Sequence, residues 1–533
     1  MKKLLVIVLA LMMLCSLAAC KQQTPGQGTT DPAAEATPAP EVNASAEPNA
    51  SAEPAEVPAV RKDTLTVALQ AEPQTMDPYA ASHDTTFVSS EAIFESLLKS
   101  VDGQLVPWLA TGYEIVDDLT IVFHLRDDVY FHDGNKMTAD DVVFSLGYAA
   151  TSSFTSTMFG AIDTENTKAL DEATVEIKLK YAYAPLMEAL ASHRGVIMSK
   201  AAYETMGADA FGRAPVGTGP MMFKQWVAGD RIELTGFEQY WGEKPAFDNM
   251  VIRIILEASS RSVELETGGV DIAFQISPVD WSRLEENPDT QMLTGNSMGM
   301  TYLCFNNSNE LYGNELIRKA IAYAINVEAV AKTAYQGQAD AADGFIARSI
   351  PGYKKVGPWE YNPEKSKELL KEAGYENGLE VKFVTFQQQY YNACIEIIQS
   401  MLKEVGVTCT IDMVDLATFT SMNNNGELPM TVMANSASIP DPASALVAWP
   451  LARTISLRHN DQHIQDLLDQ GERTYAMEDR IPIYEELQDY LWEKLYILPL
   501  AYPITGYGAR SNISNFDYVP TGIPDFAAIT FTN

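Results

Sequence analysis

Phe123-His124-Leu125-Arg126, Val129-Tyr130-Phe131-His132-Asp133-Gly134 and Thr138-Ala139-Asp140-Asp141-Val142 come in close succession, and their reading decides the fold. From Thr120 to Arg126 β-branched and aromatic residues dominate, which predicts a strand. Asp133-Gly134-Asn135 supplies a tight turn. Thr138 with an acidic residue three positions on is a helix start, because the hydroxyl and the carboxylate satisfy amides that have no partner inside the helix. The helix is predicted to run through Val142, Val143, Phe144 and Leu146. A strand, a turn and a capped helix in that order predict a mixed α/β chain.

The flanks agree. Thr64 to Leu69 alternates and is β-branched, as a strand should be, and Glu72-Pro73-Gln74-Thr75-Met76-Asp77-Pro78-Tyr79 follows as a Pro-punctuated loop. Val88 to Leu98 carries helical periodicity. Lys365 to Ala373 is an amphipathic helix that Gly374 ends, and Met300 to Phe305 is strand-like.

Taken together, these stretches resemble the peptide-type (family 5) solute-binding proteins of ABC importers. Further matches keep the family's order along the body: Thr75-Met76-Asp77-Pro78, Phe94-Glu95-Ser96-Leu97, Gly217-Thr218-Gly219-Pro220 with Trp226 and Tyr240-Trp241, and Gly268-Gly269-Val270-Asp271. Phe305-Asn306 with Arg318-Lys319-Ala320-Ile321 comes next, then Tyr361-Asn362-Pro363-Glu364-Lys365, then Leu369 to Tyr375. Arg480 with Tyr484-Glu485-Glu486-Leu487-Gln488 and Leu498-Pro499-Leu500 complete the series. Most of these residues read as scaffold. Gly217 and Gly219 are expected to supply turn conformations, and His132 beside Asp133 to be a hydrogen-bonded structural histidine.

The resemblance implies an α/β, two-lobed periplasmic-binding-protein-like fold of the large class, with a hinge and an extra inserted domain. By carry-over, lobe one is 63–106, 213–303 and 496–533, the inserted domain is 107–212, and lobe two is 304–495, with crossings near Cys304–Asn307 and Tyr496–Pro499. It also implies a receptor that encloses a ligand and passes it to an ABC permease, with catalysis left to a separate ATPase.

Ahead of this body, Lys2 and Lys3 precede an apolar run from Leu4 to Leu14, too short to span a bilayer. Leu17-Ala18-Ala19-Cys20 then resembles a bacterial lipobox, so residues 1–19 are expected to be a signal peptide and Cys20 a lipidated first residue, anchored on the extracytoplasmic face of the cell membrane. Residues 20–62 are rich in Pro, Ala, Glu, Ser and Thr and repeat Asn-Ala-Ser-Ala-Glu-Pro at 43–48 and 49–54. That composition predicts a disordered leash.

The formal net charge of −34 repels phosphate backbones and anionic lipid, which argues against nucleic acid as a partner and leaves the lipid anchor as the membrane contact. A 46% apolar, 20% charged chain is otherwise an ordinary soluble one. Beyond Cys15 and Cys20, three cysteines remain, Cys304, Cys394 and Cys409, spaced too widely for a metal site. They read as buried thiols, with a Cys394–Cys409 disulfide as the alternative.

Enzyme chemistry finds little support. Gly295-Asn296-Ser297-Met298-Gly299 has nucleophile-elbow spacing, but a strand follows it where a helix is required, so a serine hydrolase is the reading from another class and a chance match the stronger one. His459 and His463 are four apart, yet Asn460 or Asp461 reads as a helix cap that leaves His459 outside. No metal and no cofactor is expected.

The ligand question turns on Met430 to Pro442. In peptide binders of the family, the corresponding strand carries an aromatic residue and, three positions on, an acid that pairs with the peptide's amino terminus. Here Asn435 stands at the first place and Ser438 at the second. Dipeptide-binding members also place an arginine for the ligand carboxylate before a Tyr-Asn; this chain has Gln387-Gln388-Gln389-Tyr390-Tyr391-Asn392. A buried charged ligand end needs an opposite partner. The joint loss points to a longer, blocked or cyclic peptide, or to a neutral solute such as an oligosaccharide. Peptide leads on the family resemblance. Asp441 is a substitute for the amine, and Arg453 or Arg348 for the carboxylate. The candidate ligand-binding residues are Thr75, Asp77, Tyr79, Gln387, Gln388, Gln389, Tyr390, Asn435, Ser436, Ser438, Asp441, Trp449 and Arg453.

Overall fold

A computed structural model of the chain describes residues 60–101, 103–446 and 461–532. The leader, Cys20 and all but the end of the 20–62 segment lie outside the described residues, as do Trp449, Arg453 and His459.

The strand–turn–helix core of the sequence reading folds as expected. Thr120–Leu125 is a strand, and Ala139–Thr151 is a helix with the capping box: Asp141 N3 side chain and Thr138 hydroxyl exchange bonds with the facing backbone. Gly374 adopts φ +89 directly after the Pro363–Glu372 helix, a left-handed stop that a side chain would strain. The helix expected over 88–98 is instead Asp84–Ser90, after which the chain turns into the Leu98–Val101 strand. There Glu95 accepts from Trp108 Nε1 (2.8 Å), Thr218 Oγ1 (2.8 Å), Tyr240 OH (2.9 Å) and Trp241 Nε1 (2.9 Å). Four donors converging on one carboxylate outweigh helix periodicity.

A ten-stranded sheet organises the body. Lys62–Leu69 lies parallel to Phe247–Ile254 on one side and to Ile272–Phe274 on the other. The path continues through Ile497–Arg510 to Gly299–Phe305 and Met430–Ser436. Ile497–Arg510 changes partners along its length: its first part pairs with Gly299–Phe305, its second with Thr290–Asn296 and Ile272–Phe274. The change falls between Ala501 and Ile504, opposite Ser297. Apolar packing changes there too. Leu303, Leu498 and Leu500 sit in one core with the helices of 315–334 and 389–404, and Tyr507 and Ala509 sit in another with Leu65, Val67 and Phe247.

A separate four-stranded sheet, Ala110–Asp117, Thr120–Leu125, Thr174–Lys178 and Lys168–Asp171, is antiparallel throughout. It stands apart in hydrogen bonding and not in packing, because Ile121, Phe123, Val175 and Ile177 share one apolar core with the Lys62–Leu69 strand. Its neighbours reach across the molecule: Ala184 N–H donates to the Glu472 carbonyl (2.7 Å) and Tyr475 OH to the Asp118 carbonyl (3.0 Å).

Gly217 precedes and Gly219 lies within a bend over 218–220 ahead of the Met221–Val227 strand, and both also permit close backbone approach. A Cβ on either would lie 2.0 Å from the Ile93 carbonyl or 2.5 Å from that of Ala92. Cys304, Cys394 and Cys409 are free and buried, so the Cys394–Cys409 bridge does not form. Burial pushes Cys304 and Cys394 up to about 12 and Cys409 to about 11, which keeps them as unreactive small hydrophobes.

Candidate functional site

Two parallel strands, Lys62–Leu69 and Ile272–Phe274, end side by side, and the residues that follow them, Gln70 and Gln275, open into a cleft of about 370 Å³. Ligands of open α/β sheets bind at such carboxyl ends, and the volume lies at the lower end of the range for small-molecule pockets. The Asp84–Ser90 helix contributes Asp84, Thr85 and Val88, and the 193–194 segment contributes His193 and Arg194. Ser297, Met298 and Thr505–Tyr507 come from the place where strand partners change, and Ser436, Ala437 and Ser438 close the far side. Tyr518–Gly522 contributes the rest of the rim.

The walls are held from behind. Arg261 is buried and spends its guanidinium on main-chain carbonyls, those of Ile255 (2.6 Å), Leu256 (2.9 Å), Phe274 (2.8 Å) and Gln275 (2.6 Å). This grip fixes Gln275 at φ 51, a left-handed conformation that a glutamine adopts only when its surroundings impose it. Tyr507 OH donates to the Asp517 carbonyl (2.5 Å), tying the C-terminal rim to the sheet.

Two buried polar atoms at this cleft have no partner among the described residues: Gln70 Oε1 and Arg194 Nε. Arg194 lies over the Phe87 ring at 4.3 Å, and His193 packs against the same ring at 4.5 Å. Burial, with help from the Arg194 charge, pushes His193 down to about 3, so it is neutral. Burial also lowers Arg194, and Asp84 opposes that shift without forming an ion pair.

The residues expected at the site divide. Ser436 and Ser438 line the cleft, and Asn435 borders an adjoining apolar recess of about 10 Å³ beside Met298 and Met300, room for little more than one water. Gln387, Gln388, Gln389 and Tyr390 do not reach the cleft. Gln388 caps the Gln389–Glu404 helix by accepting from Tyr391 N–H (2.9 Å), and Tyr390 stacks on Tyr335 with centroids 4.7 Å apart. Thr75, Asp77 and Tyr79 form an internal brace instead of a wall. Asp77 N–H donates to Thr75 Oγ1 (3.0 Å), Asp77 accepts from Tyr79 N–H (2.9 Å), and Tyr79 OH donates to the Val196 carbonyl in the interior.

Of the substitute charges, Arg453 lies outside the described residues, and neither of the other two stands ready for a ligand. Asp441 is wholly buried and gripped by Arg480, and Arg348 is paired with Asp340 and Asp343 (2.9 Å each). His132 is structural, accepting from Gly217 N–H and bonded to the Gly219 carbonyl, with burial pushing it down to about 4. Ser297 sits in a turn between Thr290–Asn296 and Gly299–Phe305; its hydroxyl donates to the Pro503 carbonyl (3.2 Å), and no histidine among the described residues is bonded to it. Asp461 is the cap of the Gln462–Arg473 helix, as its sequence suggests. Sequence reasoning missed Gln70, Asp84, Arg194 and Gln275. The only signal at Arg194 is a His-Arg-Gly step between the mostly apolar 186–190 and the apolar 196–198 stretches.

The family model for the middle part of the bacterial extracellular solute-binding proteins, family 5, matches residues 104–455. The chain belongs to that family. It is therefore a solute-binding receptor and not an enzyme, and its two-lobed α/β architecture is the family's. Among relatives of this family 5 receptor, the glutathione-binding protein GsiB of Salmonella typhimurium is 27% identical over 482 residues, covering 87% of this chain and 94% of that protein. Among solved structures, the ABC transporter-associated periplasmic binding protein DppA of Helicobacter pylori, in complex with the peptide STSA, is 26% identical. It covers 89% of this chain and 99% of its own, with a TM-score of 0.72. AgaA of A. tumefaciens, in complex with agropinic acid, is 27% identical with a TM-score of 0.69, covering 88% and 99%. No helix among the described residues is long and apolar enough to cross a membrane.

Proposed function

We propose that the chain is a lipid-anchored extracytoplasmic receptor that captures a short peptide or peptide-like solute between its lobes and delivers it to an ABC permease. The observation that carries this reading is the cleft at the strand ends, whose walls come from two apolar clusters, Leu69, Val88, Phe274 and Tyr507 from the one and Met298 and Ala437 from the other, and present buried polar atoms without a partner among the described residues. A ligand bridging both walls favours the closed arrangement over the open one, the difference a permease can sense. GsiB, a glutathione binder by its name, and DppA, bound to STSA, support a peptide-class cargo. AgaA and its agropinic acid keep a non-peptide solute as the competing outcome.

In this reading the lobes are 63–106, 213–303 and 496–533 against 304–495, with 107–212 inserted into the first. The change of strand partners around Ser297 and 501–504 supports a hinge there, slightly removed from Cys304–Asn307 and Tyr496–Pro499. Cys20 carries the lipid, and 21–62 is the tether.

Mass spectrometry of the solute released from purified protein by denaturation tests the reading. Peptides without a requirement for a free amino terminus are expected, because Ser438 offers no charge and Asp441 is occupied. Recovery of oligosaccharides alone would overturn the peptide class, and recovery of free dipeptides alone would overturn the reading of Ser438.

A further inference from the structure

Arg194, half-buried at the cleft, stands apart from the buried arginines. Arg261 and Arg318 each spend their guanidinium on four main-chain carbonyls, and Arg480 grips Asp441. Arg194 makes no side-chain hydrogen bond and no ion pair among the described residues; its Nε is buried and bare, and its plane rests on Phe87. An arginine cannot shed its proton to escape burial. Its buried Nε–H therefore lacks the acceptor that burial demands. Phe87 fixes the plane of the guanidinium, and a planar fork so fixed matches a carboxylate through two parallel bonds. Asp84, the acidic group that acts on it, stays out of contact and leaves the fork open. In the same cleft Gln70 offers an unused acceptor, which an amide N–H would satisfy.

We propose that Arg194 receives a carboxylate of the bound solute, so that the cargo's acidic end is read from the Asp84–Arg194 side of the cleft. This restores, at a different place, the cation missing from the 387–389 segment. The inference rests on the receptor reading above.

The test is a melting-temperature panel on the full-length protein after its co-purified solute is removed. The probes are a mixed-sequence tripeptide library, the same library as C-terminal amides, a non-peptide dicarboxylate (glutarate) and a neutral trisaccharide. Parent protein, Arg194→Gln and Arg194→Lys are compared. Free-acid peptides should stabilise the parent with an apparent affinity at least tenfold above that of the amides, and Arg194→Gln should erase the difference. Ligand-free Arg194→Gln should melt no lower than the parent, since it removes an unpartnered charge. Should it fold poorly, weakened acid-over-amide discrimination in Arg194→Lys, which keeps the charge and loses the fork, carries the test. Acids and amides stabilising alike, or a preference that survives in Arg194→Gln, overturns the role of Arg194 and leaves the peptide reading standing. Stabilisation by glutarate alone, lost in Arg194→Gln, supports the role and overturns the peptide class. Stabilisation by the trisaccharide alone, or by nothing, overturns both.

Discussion

Arg480 and Asp441 form a two-bond ion pair, at 2.6 and 2.8 Å, with side chains 2% and 0% exposed. Arg480 also donates from Nε to the Gly471 carbonyl (2.8 Å) and lies over the Tyr484 ring. Burial acts to lower the arginine, but the Asp441 charge prevails and raises it.

Removing either partner strands the other. Asp441→Asn or Arg480→Met is expected to cost about 3–5 kcal/mol, read as a shift in urea midpoint at unchanged slope. The double replacement Asp441→Leu with Arg480→Met should cost less than either alone. A double mutant as unstable as the sum would mean that the pair acts through independent contacts.

Glu188 gives a pH dependence. Burial, then the Asp441 charge, raises its carboxyl to about 7, with Arg480 acting in the other direction. A raised acid favours the folded state while protonated. The contribution is complete below the ordinary glutamate range and is lost as pH rises through about 7, by roughly 1–3 kcal/mol. The melting-temperature difference between Glu188→Gln and parent should grow over that interval; a flat difference would refute the assignment.

Glu95→Gln replaces an acceptor of four bonds by an amide that can accept on one side only. Facing the amide nitrogen, at least one of Trp108, Thr218, Tyr240 and Trp241 is left without an acceptor in the interior. A loss of about 1–3 kcal/mol is expected in chemical denaturation, with tryptophan fluorescence shifted in the folded baseline.

Cys20→Ser is expected to abolish incorporation of labelled fatty acid and to move the protein from the membrane fraction into the medium or periplasm, with solute binding unchanged. Label retained on the serine variant would place the lipid elsewhere.

What could be read in the sequence was local. Thr138 and Asp141 lie within one turn of each other, Gly374 ends the helix it follows, and Asp461 caps the helix it precedes; propensity and position suffice for each. The order of such features over the body was enough for the fold. The site required pairings between distant segments. Asp441 could be offered as a ligand partner because nothing near it in sequence shows that Arg480 occupies it. Gln387–Gln389 looked like a binding surface because glutamines make poor core, yet one of them caps a helix. Gln70, Gln275 and Arg194 share a cleft because two parallel strands end together, a fact of register that composition does not carry.

Ile497–Arg510 belongs to both apolar cores along one unbroken backbone. Any exchange of halves between relatives must cut through that ribbon or carry it whole. The carboxyl-terminal stretch thus makes the packing of one core answer to that of the other, so a substitution along it is felt on both sides of the partner change.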